Sequence, residues 1–257
     1  MSDAVPVFAT PSPRVRRVAV DRPWHWLSEG WSDLAFAPGV SLAFGLVAVA
    51  VSFALTASVL ASGPIYFLLP IGAGFFFVAP LLGVGVYEIS RCRAAGVVPT
   101  FGAAITAWRR NASQIALLGL VLMLLHLAWV RTATLLFALF FEGLNPTLDN
   151  LVNAIFFSSV SLSFLATGTV IGAALATIAF AIGAVSIPML LDRDVTVFTA
   201  IATSCAAVRH NWQAMALWAA LIVVFSGFGL ATFFLGLTVV VPLLGHATWH
   251  AYKDLVE

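Results

Sequence analysis

The chain has 257 residues, of which 61% are hydrophobic and only 9% charged, and its formal net charge is +1. An ordinary soluble domain is about 45–50% apolar and about 25% charged, so a water-facing surface is excluded for most of this polypeptide. The near-neutral total gives no reason to expect nucleic acid or an acidic partner, and the apolar runs from residue 40 to the end leave no room for a soluble core.

Residues 1–23 contain Pro6, Pro11, Pro13 and Pro23 with Arg14, Arg16 and Arg17, and no apolar run. They read as a flexible basic cytoplasmic tail rather than a cleaved signal peptide, followed by one integral membrane domain over 24–257. A helix crossing a hydrocarbon core of about 30 Å needs about 20 mainly apolar residues. Segments 40–61, 65–87, 115–136, 165–191, 214–228 and 231–249 meet that need, giving an all-α membrane protein of six transmembrane helices. The first pair is joined only by Ser62, Gly63 and Pro64, and the last pair only around Gly227 and Gly229, so both are predicted to be tight helical hairpins. Four long spans with buried hairpins are the alternative.

Cytoplasmic loops retain Lys and Arg, and short translocated loops lack them. Arg14, Arg16, Arg17 and Arg22 precede the first span; Arg91, Arg93, Arg109 and Arg110 separate the second and third; Arg193 and Arg209 separate the fourth and fifth; Lys253 follows the sixth. The opposite connections have none. Both termini are therefore predicted in the cytoplasm, with Arg131 the one Lys or Arg inside a span.

An internal repeat is visible. The second span ends Val78-Ala79-Pro80-Leu81-Leu82-Gly83 and the sixth ends Val240-Val241-Pro242-Leu243-Leu244-Gly245, with a weaker copy, Ile187-Pro188-Met189-Leu190-Leu191, closing the fourth. Each proline removes a backbone donor, so Pro80, Pro188 and Pro242 are predicted helix kinks. Each hairpin follows an amphipathic stretch: Trp24, Leu27, Trp31 and Leu34; then Phe101, Ile105 and Trp108; then Phe198, Ile201, Cys205 and Val208. Spacings of three and four place these on one helical face, suited to lying at the inner leaflet with arginines toward anionic lipid. The predicted unit is an interfacial cytoplasmic helix plus two spans, used three times.

Between the third and fourth spans, Glu142, Asn145, Pro146 and Asp149 indicate an outer loop, and 151–164 a partly buried helix whose Ser158, Ser159, Ser161 and Ser163 could bond to neighbouring helices. Gly168, Gly172 and Ala176 form a small-residue stripe for close helix packing, within the chain or against a second copy.

Ionisable groups inside hydrocarbon are functional suspects. His126 falls near mid-membrane and Arg131 toward the outer surface, counting about 1.5 Å per residue from Ile115. Arg131 can reach outer headgroups or Glu142 or Asp149. His126 reads first as a hydrogen-bonded core histidine and second as a proton relay or ligand. His246 and His250, four apart, share one helical face at the cytoplasmic end of the sixth span. They supply half of a usual four-ligand metal shell, which Cys92, Cys205 and His210 could complete only if the fold gathers them. Glu88 with Arg91, and Asp192 with Arg193, read as helix-end charges. Cys92 and Cys205 are expected as free thiols. Nucleotide-binding glycine loops, zinc-protease pairs and serine-nucleophile elbows are absent.

The runs VAPLLGVGVYEISR at 78–91, SIPMLLDRD at 186–194, MALWAALI at 215–222 and GHATWHAY at 245–252 resemble a proteobacterial family of integral membrane proteins, domain of unknown function 2189. That resemblance implies an inner-membrane protein of a Gram-negative bacterium and supplies no active-site residues. Some members carry a cytochrome c oxidase subunit label. A catalytic haem-copper subunit would have twelve spans and six histidine ligands including an adjacent pair, whereas this chain has five histidines, none adjacent. The expected function is thus a non-enzymatic accessory, assembly or lipid-organising factor. A small-solute transporter or channel is second, and a haem- or metal-binding respiratory component third. Membrane lipids are the expected partners, with a further membrane complex or a second copy as candidates; no cofactor is required.

Overall fold

The computed structural model describes residues 13–62, 83–141 and 148–257. Its helices are α1 (Arg22–Phe36), α2 (Pro38–Ser62), α3 (Val84–Ala94), α4 (Phe101–Thr106), α5 (Ala112–Phe140), α6 (Leu148–Phe157), α7 (Ser161–Gly183), α8 (Ser186–Asp192), α9 (Val197–His210), α10 (Trp212–Ala231) and α11 (Leu237–Leu255). A short 3-10 turn, Ala107–Asn111, joins α4 to α5. Pro80, most of predicted span 65–87, and Glu142, Asn145 and Pro146 lie outside the described residues.

Four stretches are long and apolar enough to cross a membrane: Pro38–Ala61, Phe101–Phe140, Ser161–Asp192 and Trp212–Ala231. Three boundaries differ from the sequence reading. α10 runs through Gly227 and Gly229, because in hydrocarbon a backbone has no water to replace its helical hydrogen bonds and glycine is tolerated within the helix. The turn falls instead after Ala231, where Phe233 and Phe234 take positive φ of 52° and 68°, unfavourable for bulky side chains. The Phe234 ring stacks edge-on against Phe53 of α2 at 5.4 Å, an apolar contact that offsets part of this strain.

The fourth predicted span breaks after Gly183, and α8 begins afresh at Ser186. Pro188 is therefore in a first turn, where helical N–H groups have no intrahelical acceptor to lose, and it does not kink a continuous helix. Ser204 of α9 accepts the Val185 N–H at 3.3 Å, satisfying a donor at the break. Pro242, by contrast, is inside α11. Its missing N–H would have bonded to the carbonyl of Thr238, four residues earlier.

That carbonyl faces Gly45 of α2. A Cβ at Gly45 would land on the Thr238 oxygen and within 2.6 Å of its carbon. Gly30 of α1 lies as close to the other end of α11, where a Cβ would stand 2.7 Å from the Ala247 nitrogen. α11 is thus the axle of the protein, with α1, α2, α3 and α10 packed around it. The core beside it is aromatic: Trp26 and Trp218 meet edge-to-face at 5.8 Å, and Trp249 and Tyr252 at 5.6 Å.

The amphipathic stretches divide in two ways. In α1, Leu27 and Leu34 are buried with Trp26, while Trp24 and Trp31 are exposed, so their shared stripe is split between protein and surroundings. Phe101, Ile105 and Trp108 all face outward, as does Phe198 of α9.

The first and last described segments meet. Val15 and Val256 form an antiparallel bridge, flanked by Arg16 N–H to Leu255 O and Glu257 N–H to Arg14 O, each 2.9 Å. Asn211 holds the same segment, accepting from Val18 N–H and donating to Arg16 O, both at 2.9 Å. Asn211→Ala removes two partly buried hydrogen bonds and is expected to cost about 1–3 kcal/mol. The check is limited proteolysis, with cleavage between Arg14 and Arg22 accelerated in the variant.

Candidate functional site

A group of buried polar side chains gathers around the second half of α11. His246 is fully buried. Its Nδ1 is 2.7 Å from the Ser90 hydroxyl of α3, and its Nε2 is 3.0 Å from the Ser41 hydroxyl of α2. One turn on, His250 Nε2 is 2.9 Å from Asp33 Oδ2 of α1. The other oxygen of Asp33 accepts from Arg93 of α3, which also donates to Ser32 at 2.9 Å. The Ser90 hydroxyl also lies near Asp33 and helps to lower its pKa.

In the neutral ring one nitrogen donates and the other accepts, so one of the two serine hydroxyls accepts from His246 and the other donates to it. Four helices are cross-linked here: His246 of α11 to Ser41 of α2 and Ser90 of α3, and His250 of α11 to Asp33 of α1.

Burial alone would raise the Asp33 pKa. Hydrogen bonds from His250 and Ser90 and the nearby imidazoles outweigh it and hold the carboxyl at about 2, from an ordinary 3.8. Its folded value is depressed, so its stabilisation is complete above about pH 4 and is lost as pH falls toward 2. With Asp33 only 2% exposed, this amounts to about 2 kcal/mol. Thermal unfolding in detergent should therefore show a midpoint falling between about pH 4 and about pH 2, and Asp33→Asn should flatten that fall.

A second network lies alongside. Burial raises and arginine lowers the Glu88 carboxyl, with a net downward shift. It accepts from Arg91 at 2.7 and 2.8 Å and from Arg110, 22 residues away, at 3.1 Å. Asp192 accepts from the Tyr252 hydroxyl and from Lys253, and Arg193 donates to the same hydroxyl at 2.8 Å. The acids read from sequence as helix-end charges are instead tertiary ties, because their helices end against other elements rather than in water.

Beyond these ties, in the apolar layer, is a cavity of about 1110 Å³ between α5, α7, α10 and α11. Trp129, Phe164, Trp218, Ile222 and Leu244 line it. Gly168, Gly172 and Ala176 form its α7 wall. Gly172 sits under Trp129, where a Cβ would be 2.9 Å from the ring, but a Cβ at Gly168 would meet nothing within 4 Å. The small-residue stripe therefore packs against α5 at one position and opens the cavity at the others. A smaller recess of about 450 Å³, lined by Arg17, Arg209 and His210, shares Trp212 with it.

The remaining candidates are placed as follows. His126 is half-buried on α5 and is not among the residues lining the cavity. Arg131 is exposed on the same helix. Ser158 and Ser161 bond to each other across the turn before α7, and Ser161 also donates to the Ala154 carbonyl of α6 at 3.4 Å. Cys92 is buried, Cys205 exposed, and both are free thiols. Both ring nitrogens of His246 are engaged by serine hydroxyls. Among the described residues no group of three or more His, Cys, Asp or Glu is arranged for a metal ion.

Sequence reasoning missed Asp33, Ser41, Ser90 and Arg93. One signal was available for Asp33: with Trp26 and Gly30 it falls at i, i+4 and i+7 of α1, so an acid sits on the stripe that goes inward.

No curated protein and no solved structure matches the chain. Residues 68–192, ending with α8, match the model of the family described as "Predicted integral membrane protein (DUF2189)", which accords with the apolar helices: this is an integral membrane protein similar to that family of unknown function.

Proposed function

We propose that the protein is a non-enzymatic, lipid-organising factor of the bacterial inner membrane, spanning it six times with both ends cytoplasmic. The pairing of Val15 with Val256 supports an even number of crossings. The four long apolar helices, α11 and the segment 65–87 supply six. The arginine-bearing connections on one side support cytoplasmic ends, and the outward Trp24, Trp31, Phe101, Trp108 and Phe198 support helices resting at the interface. The proline-marked repeat supports three related units.

The observation that carries the lipid-organising reading is the apolar cavity among membrane helices. The acid and base groups of the polar cluster bond to one another, and the large space is lined mainly by apolar side chains, so it suits hydrocarbon better than a polar solute or a reaction. Purification in mild detergent followed by native mass spectrometry is the test. Copurifying lipid on the folded protein is expected; a chain that is folded and free of lipid under conditions that preserve annular contacts would end this reading.

A further inference from the structure

Resting on that reading, we propose that the cavity and the basic recess together form one site for an anionic phospholipid, with an acyl chain between α7 and α10 and its phosphate beside Arg17, Arg209 and His210. The two spaces both reach the start of α10. Trp212 lines both, and of the adjacent residues Val208 and Arg209 the first faces the apolar cavity and the second the recess. Among the described residues no acidic side chain lines the recess.

The dimensions and chemistry agree. Binding cavities for small molecules hold about 300–1,000 Å³ and are mainly apolar with a few placed polar groups, and this one is at the upper end at about 1110 Å³. Among the described residues nothing fills this mainly apolar space, and a space without contacts across its middle favours a filling, which within a bilayer is an acyl chain. A basic recess at the end of such a space selects an amphiphile carrying negative charge. Each Lys or Arg near an anionic surface favours it measurably. Trp212 is placed where aromatic rings favour the boundary between hydrocarbon and headgroups.

The test uses the full chain reconstituted in bilayers of phosphatidylcholine with a minor fraction of phosphatidylglycerol, extracted in mild detergent and analysed by native mass spectrometry. Retained lipid on the unaltered protein should be enriched about tenfold in phosphatidylglycerol, as two basic side chains allow. Arg17→Gln with Arg209→Gln should retain lipid but lose the enrichment. Ala176→Phe, which fills the cavity from its α7 wall, should lower the number of lipids retained. Ala219→Phe does the same from α10, in case the first variant fails to fold. Lipid retained without class preference, or enrichment unchanged by the double substitution, overturns this proposal and leaves lipid organisation standing. Retention unchanged in both cavity variants overturns the placement of the chain, and no retention at all overturns both readings.

Discussion

Asp33→Ala is expected to destabilise the protein by about 3–5 kcal/mol, the cost of removing one partner from a buried ion pair and leaving the other charge without compensation. Among the described residues, Asp33 is the acid joined to both Arg93 and His250 across α1, α3 and α11. Without it, the Arg93 guanidinium and the His250 imidazole lose their shared acceptor. Thermal unfolding in detergent measures the loss. Arg93→Met in the Asp33→Ala background should recover part of it, because a buried pair can be exchanged for apolar volume at little cost. Equal losses in the single and double variants would mean that the carboxylate acts through packing and not through charge.

Gly45→Leu should be as damaging through sterics. A side chain there meets the Thr238 backbone, which cannot rotate away, and α2 must separate from α11. Overpacking commonly costs about 1–3 kcal/mol, and a collision with main chain should reach the upper end. Separation also exposes the carbonyl that Pro242 leaves without its helical donor. Pro242→Ala in the same background restores that donor, and partial rescue of the unfolding midpoint is the expected result. Gly39→Leu is the control, since a Cβ at Gly39 meets nothing within 4 Å.

Segments chosen by apolar length are mainly helical where the structure describes them, because in lipid the backbone must satisfy itself and only helices or closed barrels can do so. Their ends were less legible. Gly227 and Gly229 look like a turn only if water is available to the backbone, and Pro188 looks like a kink only if the preceding helix continues. The cavity was invisible because Gly168, Gly172 and Ala176 state that helices can approach, not that they do. Most of the polar cluster was hidden for another reason. Ser41, Ser90, Asp33 and His246 are far apart in sequence, and no local spacing announces a network made by four helices. His246 was found as half of a pair with His250, yet its partners turned out to be hydroxyls.

The clasp between the first and last described residues carries a consequence for biogenesis. α1 leaves the ribosome well before the helix it rests on, so Trp26 and Asp33 wait without their partners until α11 is made. A message truncated ahead of Leu237 would yield inserted spans bearing an unclosed, adhesive N-terminal helix, a natural target for membrane quality-control proteases.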